Sequence, residues 1–189
     1  MRIPYRKMPV KELILRAQKD DYRALEELLR AVQKDIYAMM SYLVQNKSDV
    51  ADLVQTVLIR ISKNIKTLKE PLKFTAWMNR IVYNVYKDYH RKNNKPCFYI
   101  SMEEECCKEI VDEKNHEPIE KCSALELDKL IKQAILALPE YFRVAIILRE
   151  FAGLSYEDIA GITNVTMGTV KSRIARARLI LQNKLKKCL

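Results

Sequence analysis

An all-α fold, built as two small helical domains joined by a flexible acidic linker, is predicted by three observations. Only three glycines occur in 189 residues, while Leu, Ile, Ala, Lys and Glu are abundant, a composition that favours helices. Apolar residues recur at i, i+3, i+4 and i+7 through most of the chain, the spacing of a buried helical face. That periodicity fades from Lys92 to about Cys122 and then returns, which separates residues 8–92 from 123–189 and leaves 93–122 as a connector. A chain of this length can bury two modest cores, and no internal repeat is visible.

The elements follow in order. Helical spacing begins near Val10 with Leu13, Ile14 and Ala17, and Asp20-Asp21 reads as a break with a new N-cap. Tyr22, Leu25, Leu28 and Leu29 continue the pattern, and a further helix is expected over Ala31–Leu43 with Ile36, Tyr37 and Met40 inward. Asn46-Lys47 reads as a turn, after which Ser48 or Asp49 caps a helix that buries Leu53, Val54, Val57, Leu58 and Ile61. Pro71 marks the next start. The helix after it carries Phe74, Trp77, Met78, Ile81, Val82, Val85 and Tyr89 on one side. Arg80, Tyr83, Asn84, Lys87 and Arg91 follow the same spacing on the other. Such a row of cations, an amide and an aromatic ring can hold phosphates and stack on unpaired bases, and it also fits an ordinary solvated face.

In the connector, Asn93-Asn94, Pro96, Glu103-Glu104-Glu105 and Pro118 replace the periodic residues. Helical spacing resumes with Leu125, Leu127, Leu130, Ile131, Ile135 and Leu138, and Pro139 opens a helix that buries Phe142, Ala145, Ile146 and Leu148.

The last sixty residues contain the most specific local pattern. Ser155 and Asp158 form a capping box for a short helix, Asn164 stands where a tight turn needs a left-handed residue, and Thr166 caps a second, longer helix. Val170, Ile174, Ala177, Leu181 and Leu185 make that helix's apolar stripe. Ser172, Arg173 and Arg176 lie opposite, with Gly168 and Thr169 one turn earlier and Lys171 and Arg178 on the flank. A short helix, tight turn and basic helix is a device for placing side chains in the DNA major groove. Arginine and serine near the start of such a helix reach base edges, and flanking cations suit phosphates.

Charge agrees with this. The formal net charge is +10, and it is uneven. Residues 72–100 and 139–189 each carry +5, whereas 101–121 carry −5, so two basic modules flank an acidic connector and a polyanionic partner is expected. No apolar run is long enough to cross a bilayer, and Met1–Val10 lacks a signal peptide's apolar stretch, so membrane insertion is not expected and the location is read as cytoplasmic. Five cysteines, with Cys106 and Cys107 adjacent and no C-x-x-C spacing, read as free thiols in a reducing compartment; no metal and no cofactor is expected.

Two sets of residues carry a family resemblance. One is Asp52-Leu53-Val54-Gln55 followed by Phe74-x-x-Trp77-Met78-x-Arg80-Ile81 and Asn84. The other is Leu138-Pro139-Glu140, Arg143, Leu148-Arg149-Glu150, Gly153 through Ala160, Gly168 through Arg173, and Arg176-Ala177-Arg178. In this order and at this separation they resemble the extracytoplasmic-function (ECF) group of bacterial sigma-70-family RNA polymerase sigma factors. The resemblance implies a protein that binds core RNA polymerase, directs it to promoter DNA and helps to open the duplex. It implies that residues 8–92 are a region 2-like domain, with Asp49, Asp52, Leu53 and Gln55 on the polymerase clamp. Arg80, Tyr83, Asn84, Lys87 and Arg91 then meet the −10 element, and the Thr67–Lys73 loop holds a flipped base. Residues 123–189 become a region 4-like domain that reads the −35 element through Lys171, Ser172, Arg173 and Arg176, with Thr166, Thr169 and Arg178 beside them and Arg149 on phosphate. The linker threads through polymerase, and an anti-sigma factor is an expected antagonist. The chain departs from the common pattern at Ala51, Thr56 and Leu58 in the clamp helix and at Ala175 in the reading helix.

A helix-turn-helix regulator that binds duplex DNA without joining polymerase accounts for the second half and leaves the Asp52–Gln55 and Phe74–Asn84 matches as coincidence. A nucleic-acid enzyme is disfavoured: His90 and His116 are the only histidines, and no paired-acid, Cys/His or Gly-rich phosphate motif accompanies them.

Overall fold

The computed structural model describes residues 5–93 and 124–186, and among these every regular element is helical. The expected acidic linker beyond Asn93 and all five cysteines lie outside the described residues.

A single 3-10 turn, Tyr5–Lys7, precedes α1 (Val10–Ala17), which buries Leu13, Ile14 and Ala17. The break after α1 is built as expected. Asp20 takes a left-handed conformation with φ 64°, which a short polar side chain tolerates, and the Asp21 carboxylate accepts the Ala24 N–H at 3.1 Å to cap α2.

α2 (Tyr22–Leu43) is one uninterrupted helix, where the sequence reading divides it at Ala31. Nothing between Leu29 and Val32 stops a helix: Arg30 and Ala31 are both strong helix formers, and the apolar face continues through Leu28, Val32, Ile36, Met39, Met40 and Leu43. Tyr37 is correspondingly turned outward, with Met39 in the place expected for it, because 36, 39, 40 and 43 complete the i, i+3, i+4, i+7 set.

The cap of α3 (Lys47–Asn64) is Asn46, whose side-chain oxygen accepts the Ser48 N–H at 3.2 Å. Ser48 and Asp49, the expected caps, lie inside the helix instead. α3 buries Val50, Val54, Val57, Leu58 and Ile61 and leaves Leu53 half buried. Two 3-10 turns, Ile65–Thr67 and Pro71–Lys73, lead to α4 (Phe74–Asn93). The Gln18 amide anchors the first turn by donating to the carbonyls of Ile65 at 3.1 Å and Leu68 at 2.7 Å. α4 packs on α2 and α3 through Phe74, Met78, Val82 and Val85, and Asn79 and Tyr86 are buried with them.

The second group comprises α5 (Ala124–Leu136), α6 (Glu140–Glu150), α7 (Tyr156–Thr163) and α8 (Met167–Lys186). α6 is its centre. It packs on α7 and α8 on one side and on α2 on the other, which explains why Phe142, Val144, Ala145, Ile146, Ile147 and Leu148 are all buried rather than one stripe of them. The two groups touch along α2 and α4, which meet α5, α6 and α7.

Candidate nucleic-acid interface

The helix-turn-helix forms through the capping chemistry legible in the sequence. The Asp158 N–H donates to Ser155 Oγ at 3.0 Å, and the Ser155 hydroxyl lies 2.7 Å from the Asp158 carboxylate. Asn164 closes α7 at φ 56°, ψ 48°, which lets the Val165 N–H reach the Ala160 carbonyl at 3.2 Å. The Thr169 N–H then donates to Thr166 Oγ1 at 3.2 Å and starts α8. Loss of one such cap typically costs about 1 kcal/mol.

Val170, Ile174 and Ala177 are buried against α6 and α7, while Leu181 and Leu185 are half buried near the helix's end. The stripe fixes the helix's rotation. Lys171, Ser172, Arg176 and Arg178 are therefore exposed, with Thr169 and Arg173 half buried beside them. Ser172 Oγ donates to the Thr169 carbonyl at 2.9 Å, and Thr166 Oγ1 lies 2.9 Å from Thr169 Oγ1.

Several cations here are held by protein groups. Arg149 Nη1 donates to the Leu154 carbonyl at 2.7 Å, and its guanidinium lies over the Tyr156 ring, 4.8 Å from the centroid. Lys171 Nζ sits at the same ring, 5.9 Å from the centroid. Arg173 stacks over Tyr141 at 5.4 Å, and Arg178 Nε donates to the Glu150 carboxylate at 3.2 Å. Tyr156 and Tyr141 are thus part of the site, in a supporting role that the sequence pattern does not assign them. Periodicity could not find them, because an aromatic ring that supports a cation needs no fixed spacing from it.

On α4, Arg80, Asn84, Lys87 and Arg91 are exposed and Tyr83 is half buried, so the expected polar row is a real face. Two ties hold this helix to α3. Tyr89 Oη donates to Asp49 Oδ2 at 2.7 Å, and Arg60 Nη2 donates to Asp88 Oδ2 at 3.0 Å. The Tyr89 hydrogen bond holds the Asp49 carboxyl below its ordinary pKa, while partial burial, ahead of Asp49 itself, raises that of Tyr89.

Asp49 is therefore engaged within the fold, whereas Asp52 and Gln55 point to solvent. Ile59 joins those two on the same face of α3 and is 52 % exposed, an apolar side chain that the core does not use. Leu72, in the loop before α4, is 83 % exposed. A buried-face search of the sequence misses both, because each lies off the core pattern.

The fold and these faces define an all-helical protein with a capped helix-turn-helix, an exposed polar row on α4 and a separate exposed patch of Asp52, Gln55 and Ile59 on α3. A family model described as Sigma-70 region 2 matches residues 28–95, and one described as Sigma-70, region 4 matches residues 128–181. The chain belongs to the sigma-70 family, in its ECF group. It is 32 % identical to an ECF RNA polymerase sigma-E factor of Haemophilus influenzae over 92 % of this chain and 93 % of the relative. It is 34 % identical to ECF RNA polymerase sigma-E factor of Escherichia coli K12, covering 91 % and 92 %. The ECF RNA polymerase sigma factor SigW of Bacillus subtilis is 31 % identical, covering 95 % and 98 %.

Among solved structures, the sigma factor RpoE of Bartonella quintana, crystallised with the anti-sigma factor NepR, matches with a TM-score of 0.65 and 28 % identity. It covers 85 % of this chain and 96 % of that one. CnrH, solved with the cytosolic domain of CnrY, matches with a TM-score of 0.64 at 22 % identity, covering 94 % and 97 %, and shows the same fold. The protein is accordingly a sigma factor that binds core RNA polymerase and promoter DNA. Among the described residues no helix is long and apolar enough to cross a membrane.

Proposed function

We propose that the two faces divide promoter recognition between them, with α8 reading the −35 element and α4 capturing the −10 element, while α3 docks on the polymerase clamp. The observation that carries this reading is the rotation of α8. Val170, Ile174 and Ala177 are buried, so Lys171, Ser172 and Arg176 are presented together on the outer side of a capped helix-turn-helix. In this reading residues 8–92 and 123–189 act as the region 2-like and region 4-like domains, joined by 93–122. Arg173 contributes from its stack on Tyr141, and Thr166, Thr169, Arg149 and Arg178 line the phosphate path. Arg149 and Arg178 reach phosphate only by loosening their bonds to Leu154 and Glu150.

On α4, Arg80, Tyr83, Asn84, Lys87 and Arg91 hold the melted strand, and the exposed Leu72 lies in the loop that receives a flipped base. Asp52, Gln55 and Ile59 form the clamp contact with Leu53 behind them, and Asp49 acts by fixing α4 to α3 through Tyr89. The protein catalyses nothing itself. It works in the cytoplasm, and its antagonist is an anti-sigma factor, as RpoE of Bartonella quintana has NepR.

Base reading and phosphate contact separate experimentally. Arg176→Ala should weaken promoter binding by roughly 1–3 kcal/mol and relax preference at one or two upstream positions, whereas Lys171→Ala should weaken all sequences alike and reduce the salt slope by about one unit. Binding titrations on a randomised −35 library at several salt concentrations test both. An unchanged sequence profile for the Arg176 variant removes it from the reading set.

Asp52→Ala with Gln55→Ala should leave the fold intact, because both side chains are exposed, yet lower affinity for core polymerase. Co-elution of the double variant with core at wild-type concentrations would place the clamp contact elsewhere.

A further inference from the structure

One large aromatic side chain takes no part in the core or in the faces described above. Tyr22, the first residue of α2, is 79 % exposed. It stands at a cleft of about 250 Å³ between the start of α2 and the end of α3, lined by Tyr22 and Leu25 on one side and by Ser62, Lys63, Ile65 and Lys66 on the other.

Helical spacing joins this cleft to the outer face of α3. At about 100° per residue, Asp52, Gln55, Ile59, Ser62 and Lys63 fall on one side of the helix, opposite the buried Val50, Val54, Val57, Leu58 and Ile61. That outer stripe begins with an acid, passes through the exposed Ile59 and ends in the cleft. From Asp52 to Lys63 it runs about 16 Å, at 1.5 Å per residue. Asp52, Gln55 and Ile59 are a small part of a specific protein interface, which takes about 20–30 residues a side. The contact must extend beyond them, and Tyr22 is the exposed apolar surface next in line.

The cleft is held in shape by several bonds. The Gln18 amide donates to the carbonyls of Ile65 and Leu68, and Lys66 Nζ pairs with Asp20 Oδ1 at 2.6 Å, so the turn between α1 and α2 is fastened to the end of α3. Asp21 is engaged as well, accepting the Ala24 N–H and, at 3.0 Å, the Tyr5 hydroxyl. The remaining charge at the mouth is that of the exposed Lys63. The cleft is smaller than the roughly 300–1,000 Å³ of small-molecule sites, and its Tyr22, Leu25 and Ile65 walls suit an inserted apolar side chain. Tyrosine is among the residues that most often carry binding energy at protein interfaces, and a surface already tied in place loses little freedom on docking.

We infer that the polymerase contact continues from α3 onto the start of α2, with Tyr22 as its aromatic anchor. The clamp segment that docks there presents a basic side chain to Asp52, an apolar side chain that enters the cleft against Tyr22 and Leu25, and an acid to Lys63. The inference rests on the assignment of α3 to the polymerase clamp and adds a second helix to that contact.

Titration of the fluorescently labelled full-length chain with core RNA polymerase, in the absence of DNA, tests it. Tyr22→Ala is expected to weaken binding about tenfold or more, and Tyr22→Phe, which keeps the ring, to stay within about twofold of the wild type. Lys63→Glu should weaken binding most at low salt. Both side chains are exposed, so thermal melts of these variants should match the wild type. The photoreactive residue p-benzoyl-phenylalanine at position 22 should crosslink to the polymerase subunit that carries the clamp. Wild-type affinity of Tyr22→Ala overturns the inference, as does a crosslink only to other subunits. The Asp52→Ala, Gln55→Ala double variant, titrated in parallel, keeps the two readings apart. If it loses affinity while Tyr22→Ala does not, the α3 contact stands and its extension falls; if neither loses affinity, the α3 assignment fails and the extension with it.

Discussion

Replacing Tyr83 and Asn84 together with alanine is expected to leave binding to duplex promoter DNA intact while slowing strand opening by orders of magnitude. Asn84 is exposed and Tyr83 half buried on the side of α4 away from Met78, Val82 and Val85, so the helix retains its core. If the face captures bases as they leave the stack, a lost stacking contact costs about 1–3 kcal/mol, and 1.4 kcal/mol is tenfold in a rate. A template already unpaired at the −10 region supplies part of that energy and should restore activity. Permanganate reactivity of bubble thymines reports opening directly. Normal reactivity of the double variant on intact duplex would leave this face a solvated surface.

Ile174→Ala should produce the largest loss of stability among single changes in the reading helix. Ile174 is 2 % exposed, between Val170 and Ala177 on the stripe that seats α8 on α6 and α7. Removing a buried isoleucine side chain costs about 2–5 kcal/mol, a large fraction of what a small helical domain has. Thermal melts should show the loss, with −35 binding falling in parallel because the exposed residues can be aligned only while the stripe is seated. Ala175→Ser, one position on and exposed, is the control and should leave the melt unchanged. A melt of the Ile174 variant at the wild-type temperature would mean that the stripe does not hold the helix.

These residues also show what was legible beforehand. The helix-turn-helix could be read almost atom by atom, because capping boxes, a left-handed asparagine and a 3.6-residue stripe are local chemistry that survives translation into structure. The same held for the polar row of α4. Boundaries that depend on competing caps were less legible: Asn46, Ser48 and Asp49 all can cap a helix, and in the fold it is Asn46 that has the extended backbone and accepts the Ser48 N–H. The division of α2 expected at Ala31 has no counterpart in local chemistry, since no breaker stands between Leu29 and Val32. The supports of the site were invisible for another reason. Tyr156 beneath Arg149 and Lys171, Tyr141 beneath Arg173, and Tyr89 on Asp49 are tertiary pairings between helices, and no spacing rule encodes them. The exposed Ile59 and Leu72 likewise stand out only once the core is known.

The central claim is that α3, α4 and α8 act together within one polymerase complex. Run-off transcription on a genomic DNA library, with core polymerase alone and with core plus this protein, followed by mapping of the RNA 5′ ends, tests it most directly. The account predicts new start sites that appear only with both components, share sequence elements near −35 and −10, and disappear with the Asp52→Ala, Gln55→Ala double variant. Tight binding of the protein to duplex DNA on its own, with no RNA beyond what core polymerase makes unaided, would contradict it.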